Sequence, residues 1–405
     1  GNPSPDYADF SVSGVLRMRT GSFVSVWVYA DEDSSCNVHE QSGFSCVQLE
    51  TASGFGADLA SNQAVVSSVW TEVVHWETAG AGGRAGLFAL GVGFDASTGR
   101  FTARADAVFI ASAQVVLEHP SGGAFAMMVA VDGNTDVYSG MRTVSERALS
   151  GILGLSASGV VQLQAGEYIS TWVQASDVGV NMCTVKSSSG FACAELLSPG
   201  VAFAARNPIW SELKPYQDDG QVNGAFSIGA DLDYATGRYT APAGGYFFVS
   251  ASVFIHSPSA AIGKGCVALN ALPDAESGLF TMAGVAKSGT VAFTLSGAVH
   301  MYADDFVSAW VSMHGTPSYD VSDESSFSCA LLETSSGFGA DLSASQAVTT
   351  VGWTEVVGWE TTGSGGRSGL FELGSGLDVA TGRFTATVSG VYLVSSQLRI
   401  DGADT

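Results

Sequence analysis

Positive charge is scarce in this 405-residue chain: 16 Lys and Arg stand against 39 Asp and Glu, a formal net charge of −23. Such a chain cannot neutralise a run of phosphates, so nucleic acid is excluded as a partner and anionic membrane surfaces are disfavoured. What remains is an acidic, self-repelling surface able to collect Ca2+ loosely. No apolar run approaches the 18 or so residues of a membrane-spanning helix, so no membrane span is expected. Glycine is plentiful at 50 residues but has no three-residue period, which excludes collagen. No Asn-x-Ser/Thr acceptor occurs with a permitted middle residue. No leader segment is visible and the chain begins with Gly1, so a mature or excised piece of something longer is expected.

Reaction chemistry is equally thin. The six histidines, His39, His75, His119, His256, His300 and His314, are scattered and never recur at matching places. There is no His-Glu-x-x-His spacing, no Gly-x-Ser-x-Gly elbow and no phosphate-binding loop. The Gly-rich stretch Gly80–Gly83 lacks a following Lys-Ser/Thr and is expected to be a hairpin loop. No catalytic residue, no cofactor and no enzyme activity are expected. The acidic clusters Asp31-Glu32-Asp33, Asp218-Asp219, Asp304-Asp305 and Asp323-Glu324 are possible Ca2+ ligands, but solvated loop charge is the better expectation.

What is present is repetition. Asp-x-x-Thr-Gly-Arg followed by an aromatic, Thr and Ala occurs at 95–103, 233–241 and 378–386. The Asp side chain can accept backbone N–H bonds, the Gly can take positive φ, and the aromatic begins a strand. Thr51–Leu59 and Trp70–Val74 return almost unchanged 283 positions later, as Thr334–Leu342 and Trp353–Val357. Two repeats therefore span 283 residues. Their alternating apolar runs are short, bounded by Gly, Ser, Asp and Asn, with no sustained helical period. The fold class is all-β, a tandem array of jelly-roll sandwiches. The expected units are 1–50, the C-terminal half of a repeat; 51–198 and 199–333, two complete repeats; and 334–405, an N-terminal half completed by residues 1–50 of an adjacent copy.

The order of these markers resembles the globular-head domain of complement C1q and, more distantly, the tumour necrosis factor ligands. The resembling residues are the three Asp-x-x-Thr-Gly-Arg turns, Gly390-Val391-Tyr392-Leu393-Val394-Ser395 with Gly245-Tyr246-Phe247-Phe248-Val249-Ser250, and the closing Ser-Gly-Phe strands. Ala105-Asp106-Ala107 departs from the Gly expected before Val108-Phe109, and there is no collagen stalk. The resemblance implies ten-strand jelly rolls packed as trimers or pseudo-trimers, placed outside cells, binding proteins or glycans.

Cysteine spacing adds expectations. Cys36 and Cys46 are ten apart, as are Cys183 and Cys193; Tyr319 stands where a third partner would align, and that repeat alone gains Cys266. Disulfides Cys36–Cys46, Cys183–Cys193 and Cys266–Cys329 are therefore expected, implying an oxidising, extracellular setting. Trp27, Trp172 and Trp310, and Trp70, Trp210 and Trp353, recur in alternating strands and are expected in cores rather than as sugar platforms. Val24, Val26 and Val28 should share a buried face, as should Ile169 with Val173 and Val307 with Val311. The joint from Cys329 round to Cys46 of a following copy is 122 residues, against 147 and 136 between matching cysteines, so it is short by some 14–25 residues and a trimmed loop or a missing segment is expected near Asp401–Thr405 and Gly1–Asp6. Half-domains at both ends suggest head-to-tail assembly of copies into a filament or surface layer, with a lectin-like or protein-binding recognition array as the competing function.

Overall fold

A computed structural model describes residues 7–30, 36–40, 42–66, 68–78, 86–119, 123–135, 141–148, 151–176, 183–197, 202–206, 226–228, 232–233, 236–257, 261–270, 279–286, 289–314, 320–322, 325–348, 352–361 and 370–402. The described secondary structure is β throughout, arranged as three jelly-roll lobes. The first lobe is built from Gly54–Leu196 and the second from Ala202–Leu332. The third joins Tyr7–Leu49 to Gly337–Gly402.

Each lobe has one long inner strand, here called its spine: Ala107–His119, Gly245–Ser257 and Gly390–Gly402. Against one edge of each spine runs a seam strand: Gly151–Leu163, Gly289–Met301 and Tyr7–Met18. The third seam pairs with its spine over twelve residues, from Tyr7 opposite Asp401 to Met18 opposite Gly390. The third lobe is thus completed by residues 1–50 of the same chain. The expectation was completion by these residues of an adjacent copy. The physical reason is proximity: once the spines gather, both half-domains lie beside one another, and each satisfies the other's open strand edge without a second molecule.

The spines read as near-continuous apolar runs because both faces are buried. Alternate residues face opposite ways. In the second lobe Phe247, Val249 and Ala251 enter the lobe's own core, while Phe248 faces a common core shared by all three lobes. That shared core takes Ile110 from the first spine and Leu393 from the third at matching positions, with Val15, Val160 and Ala298 from the seams. One step further along, a hydroxyl closes each junction. Ser112 donates to the Ser13 carbonyl at 2.7 Å, Ser250 to that of Ser158 at 2.7 Å, and Ser395 to that of Ser296. Each spine therefore bonds the neighbouring lobe's seam, and the three bonds run round a closed ring.

Within the lobes, Val26, Val28, Ile169, Val173 and Val307 are buried as expected, while Val24 and Val311 are only half-buried. The tryptophans differ from expectation. Trp172 and Trp310 are half-buried and Trp27 is 44% exposed, each donating its indole N–H to the serine two residues earlier. Their outer sheets are covered on one face only, and the valines take that face. Trp70 is half-buried, Trp353 is exposed, and Trp210 lies outside the described residues. The tryptophans that fill cores are Trp76 and Trp359.

No disulfide is formed by the six cysteines in this structure. Cys36 opposes Gly402 and Cys46 opposes Val394, eight positions apart on one spine, or about 27 Å at strand rise. Thr184 and Cys193 oppose Glu118 and Ala111 on the first spine, which separates Cys183 from Cys193 similarly. A disulfide needs Cα atoms within about 7 Å. Val267 packs in the core that holds Cys329, whereas Cys266, one position earlier, faces the other way. The three expected bridges are not formed in this structure: ten residues of sequence are spent along a strand, not across a turn. Burial pushes the Cys46, Cys193 and Cys329 thiols well up, and Cys183 up to about 11.

Two outcomes follow. Phe248→Ala in the shared core should cost about 3–5 kcal/mol in urea unfolding, comparable to Phe247→Ala in the lobe core; a cost below about 0.5 kcal/mol would mean that the shared core contributes nothing. Denaturation without reductant should expose six alkylatable thiols per chain by mass spectrometry.

Candidate functional site: an uncovered groove in the third lobe

The recurring turns are structural clamps. Asp95, Asp233 and Asp378 accept at their carbonyls from the N–H of Gly99, Gly237 and Gly382, at 2.8, 2.7 and 2.8 Å. Those glycines have φ near +70°, and a Cβ on Gly99 would stand 2.6 Å from the Trp76 ring. The following arginine then grips the Trp-Thr-Glu motif. Arg100 donates twice to Glu72 at 2.9 and 2.8 Å, and Arg383 twice to Glu355 at 2.8 Å. Arg100, Arg238 and Arg383 stack over Tyr168, Phe306 and Phe23 at 4.5, 4.6 and 4.7 Å. These contacts tie the outer sheet together at matching places in each lobe. The Arg383 hydrogen bonds hold the Glu355 carboxyl below its ordinary value, and the Thr381 hydroxyl does the same for Asp378.

Of the expected site residues, Asp31–Asp33, Asp218–Asp219, Asp323–Glu324 and Gly80–Gly83 lie outside the described residues. Asp305 holds a turn, accepting from the Tyr302 N–H at 2.6 Å and the Asn270 amide at 2.5 Å. Among the described residues no group of three or more His, Cys, Asp and Glu is placed to hold a metal.

One place departs from the shared architecture. In the first lobe the spine is followed by two strands, Gly123–Val131 and Met141–Ala148, that cover the sandwich core before the seam begins. The second lobe has Ala261–Leu269 and Leu279–Ala286 in the same role. Each lobe spends 31 residues between spine and seam, 120–150 and 258–288. The third lobe has no described strand in that place.

Matching positions respond as missing cover dictates. Phe10 is 53% exposed where Leu155 is 4%, and Val12 is 46% exposed where Ala157 and Leu295 are fully buried. A Cβ on Gly159 would meet Met141 Sδ at 2.6 Å, whereas one on Gly14 meets nothing within 4 Å. The result is a groove of about 850 Å³, floored by Val26, Val28, Phe44 and Leu398 and walled on one side by the first lobe at Gln114 and Ala192. Protein interiors leave few voids larger than a water molecule, so a space of this size within a sandwich is exceptional. Its rim is aromatic: Tyr29 and Trp353 pack at 5.3 Å between ring centroids and are both exposed. Sequence reasoning did not find this groove; its signal is the exposure of Phe10 and Val12 at positions whose counterparts in the other lobes are buried.

No family model and no curated protein matches the chain. Among solved structures, murine APRIL at pH 5.0 is similar at 15% identity, covering 36% of this chain and 98% of that one, with a TM-score of 0.27. The globular domain of zebrafish complement 1qA is similar at 15% identity, covering 35% and 94%, with a TM-score of 0.25. At these values the likeness carries no functional argument.

Gly14→Ala should be tolerated or slightly stabilising, while Gly159→Ala at the matching place should cost about 1–3 kcal/mol through overpacking, both read from urea midpoints. A double-mutant cycle on Glu72→Gln and Arg100→Met should return a coupling of about 0.5–1 kcal/mol. Because the folded Glu355 value is lowered, its contribution is complete above the ordinary carboxylate value and lost as pH falls through the folded one. Glu355→Gln should accordingly flatten the acid limb of Tm against pH.

Proposed function

We propose that this chain is a noncatalytic binding head in which one polypeptide supplies three jelly rolls, with the third lobe as its recognition lobe. The observation that carries this proposal is the uncovered groove, an apolar floor with an exposed aromatic rim. Exposed apolar concavities rimmed by aromatic side chains are where protein partners gain most of their binding energy. Extracellular placement is part of the proposal and rests on the family resemblance alone, since the disulfide argument has fallen away. Head-to-tail assembly is the second proposal. The pairing of the seam Tyr7–Met18 with the spine Gly390–Gly402 of the same chain favours the first proposal over it.

Sedimentation equilibrium and negative-stain electron microscopy separate the two. A binding head should sediment as a single 41.5 kDa chain and appear as discrete three-lobed particles. Filaments or sheets of the purified protein would overturn it in favour of assembly.

A further inference from the structure

The three lobes meet in a closed ring of three junctions, and such a ring opens first where it is least bonded. We propose that the junction between the first and third lobes is a built-in opening seam. It parts while the other two junctions hold, turning the ring into an open arc and moving the first-lobe wall of the groove. Such opening does not depend on what occupies the groove and stands apart from the binding-head proposal.

The junctions match residue for residue. Val160, Ala298 and Val15 hold one place on the three seams, opposite Ile110, Phe248 and Leu393 of the spines. Ser328, Ser45 and Ala192 hold one place on the inner strands beside the spines, opposite Ser250, Ser395 and Ser112. All three junctions keep a serine pair, Ser13 with Ser112, Ser158 with Ser250 and Ser296 with Ser395. Backbone approach is also alike: a Cβ on Gly56 would stand 2.8 Å from the Val15 carbonyl, and one on Gly339 3.1 Å from that of Ala298. The junctions therefore differ in their directional bonds rather than in how closely they pack.

Two such bonds are absent from the first–third junction. Val160 N–H donates to Ser328 Oγ at 3.2 Å, from the first lobe to the second. Ala298 N–H donates to Ser45 Oγ at 3.2 Å, from the second lobe to the third. In the remaining junction Ala192 faces Val15, and a methyl group cannot accept. Both residues are buried, where the loss of an acceptor costs most. Further along, Thr294 Oγ1 donates to the Ser156 carbonyl at 3.3 Å and Gln397 Nε2 to that of Ser296 at 3.2 Å. Gln114, the match of Gln397, makes no such bond to the third seam and lines the groove instead. What this junction has besides its serine pair is the Arg17 N–H, which donates to the Gly86 carbonyl at 2.9 Å.

The chain limits how the seam can part. Residues 50–53 join Gly43–Leu49 of the third lobe to Gly54–Leu59 of the first. The two lobes stay tethered there and turn about that short segment, as domains turn about a few element-terminal residues. Partial opening of this kind draws on the least protected contacts of a native structure.

The test is amide hydrogen exchange of the full-length protein, resolved to single residues, at urea concentrations below the unfolding midpoint. Arg17 reports on the first–third junction, Val160 and Ala298 on the other two. After correction for intrinsic rates, Arg17 should exchange roughly tenfold faster than either or more, since each missing bond is worth about two- to tenfold in the opening equilibrium. Its exchange should also accelerate with urea, as it must when opening exposes surface. Ala192→Ser restores the hydroxyl and should slow Arg17 about two- to tenfold while leaving Val160 and Ala298 unchanged. An oxidised pair of Ser13→Cys and Ser112→Cys, placed where the two hydroxyls stand 2.9 Å apart, should remove the fast exchange of Arg17, and reduction should restore it. Should Ala192→Ser fail to fold, the disulfide pair decides. Arg17 exchange no faster than that of Val160 and Ala298 would overturn the inference. Fast exchange that persists in the oxidised pair, or that does not respond to urea, would also overturn it, assigning the exchange to fraying of the seam's end.

Discussion

The structure depends on the burial of the second face of each inner sheet. A jelly roll needs only one face of each sheet covered to form its own core. Here the inner sheets are apolar on both faces, and the outward face has nowhere to go except against its counterparts. Ile110, Phe248 and Leu393 meet there with the seams of the neighbouring lobes. Because the lobes are covalently joined, this packing costs no translational entropy of association. It also brings the two ends of the chain together, which is why the third lobe closes on itself.

Directional contacts then fix what apolar burial leaves loose. The three serine hydroxyls, each given to a carbonyl of the next lobe, set the register of spine against seam around the ring. Each contributes on the order of 1 kcal/mol, small beside the apolar term but specific to one alignment. The Arg–Glu clamps serve the outer sheets in the same manner. Their recurrence as sequence motifs therefore reflects architecture rather than chemistry.

The groove arises from an asymmetry in an otherwise threefold arrangement. Among the described residues, two lobes carry a cover over the sandwich core and one does not. The seam and outer strand still form there, because the spine and the shared core hold them from the other side. The frame of the third lobe stands without a described cover, while its interior stays open. That separation of frame from filling is what allows an apolar concavity to stand open.

The sequence by itself determined the strand content and the three turns. Each of these is written in local alternation or in turn residues, and neither requires knowing what lies across space. Tertiary structure alone decided the rest. Whether residues 1–50 complete their own chain or another depends on where the spines gather. Whether Cys36 can reach Cys46 depends on how ten residues are spent, along a strand or round a turn. Trp27 and Trp359 both sit in alternating runs, and only the presence or absence of a second layer decides that one is exposed and the other buried. The groove is the clearest case: no motif marks it, and only the exposure of Phe10 and Val12 beside their buried counterparts reveals it.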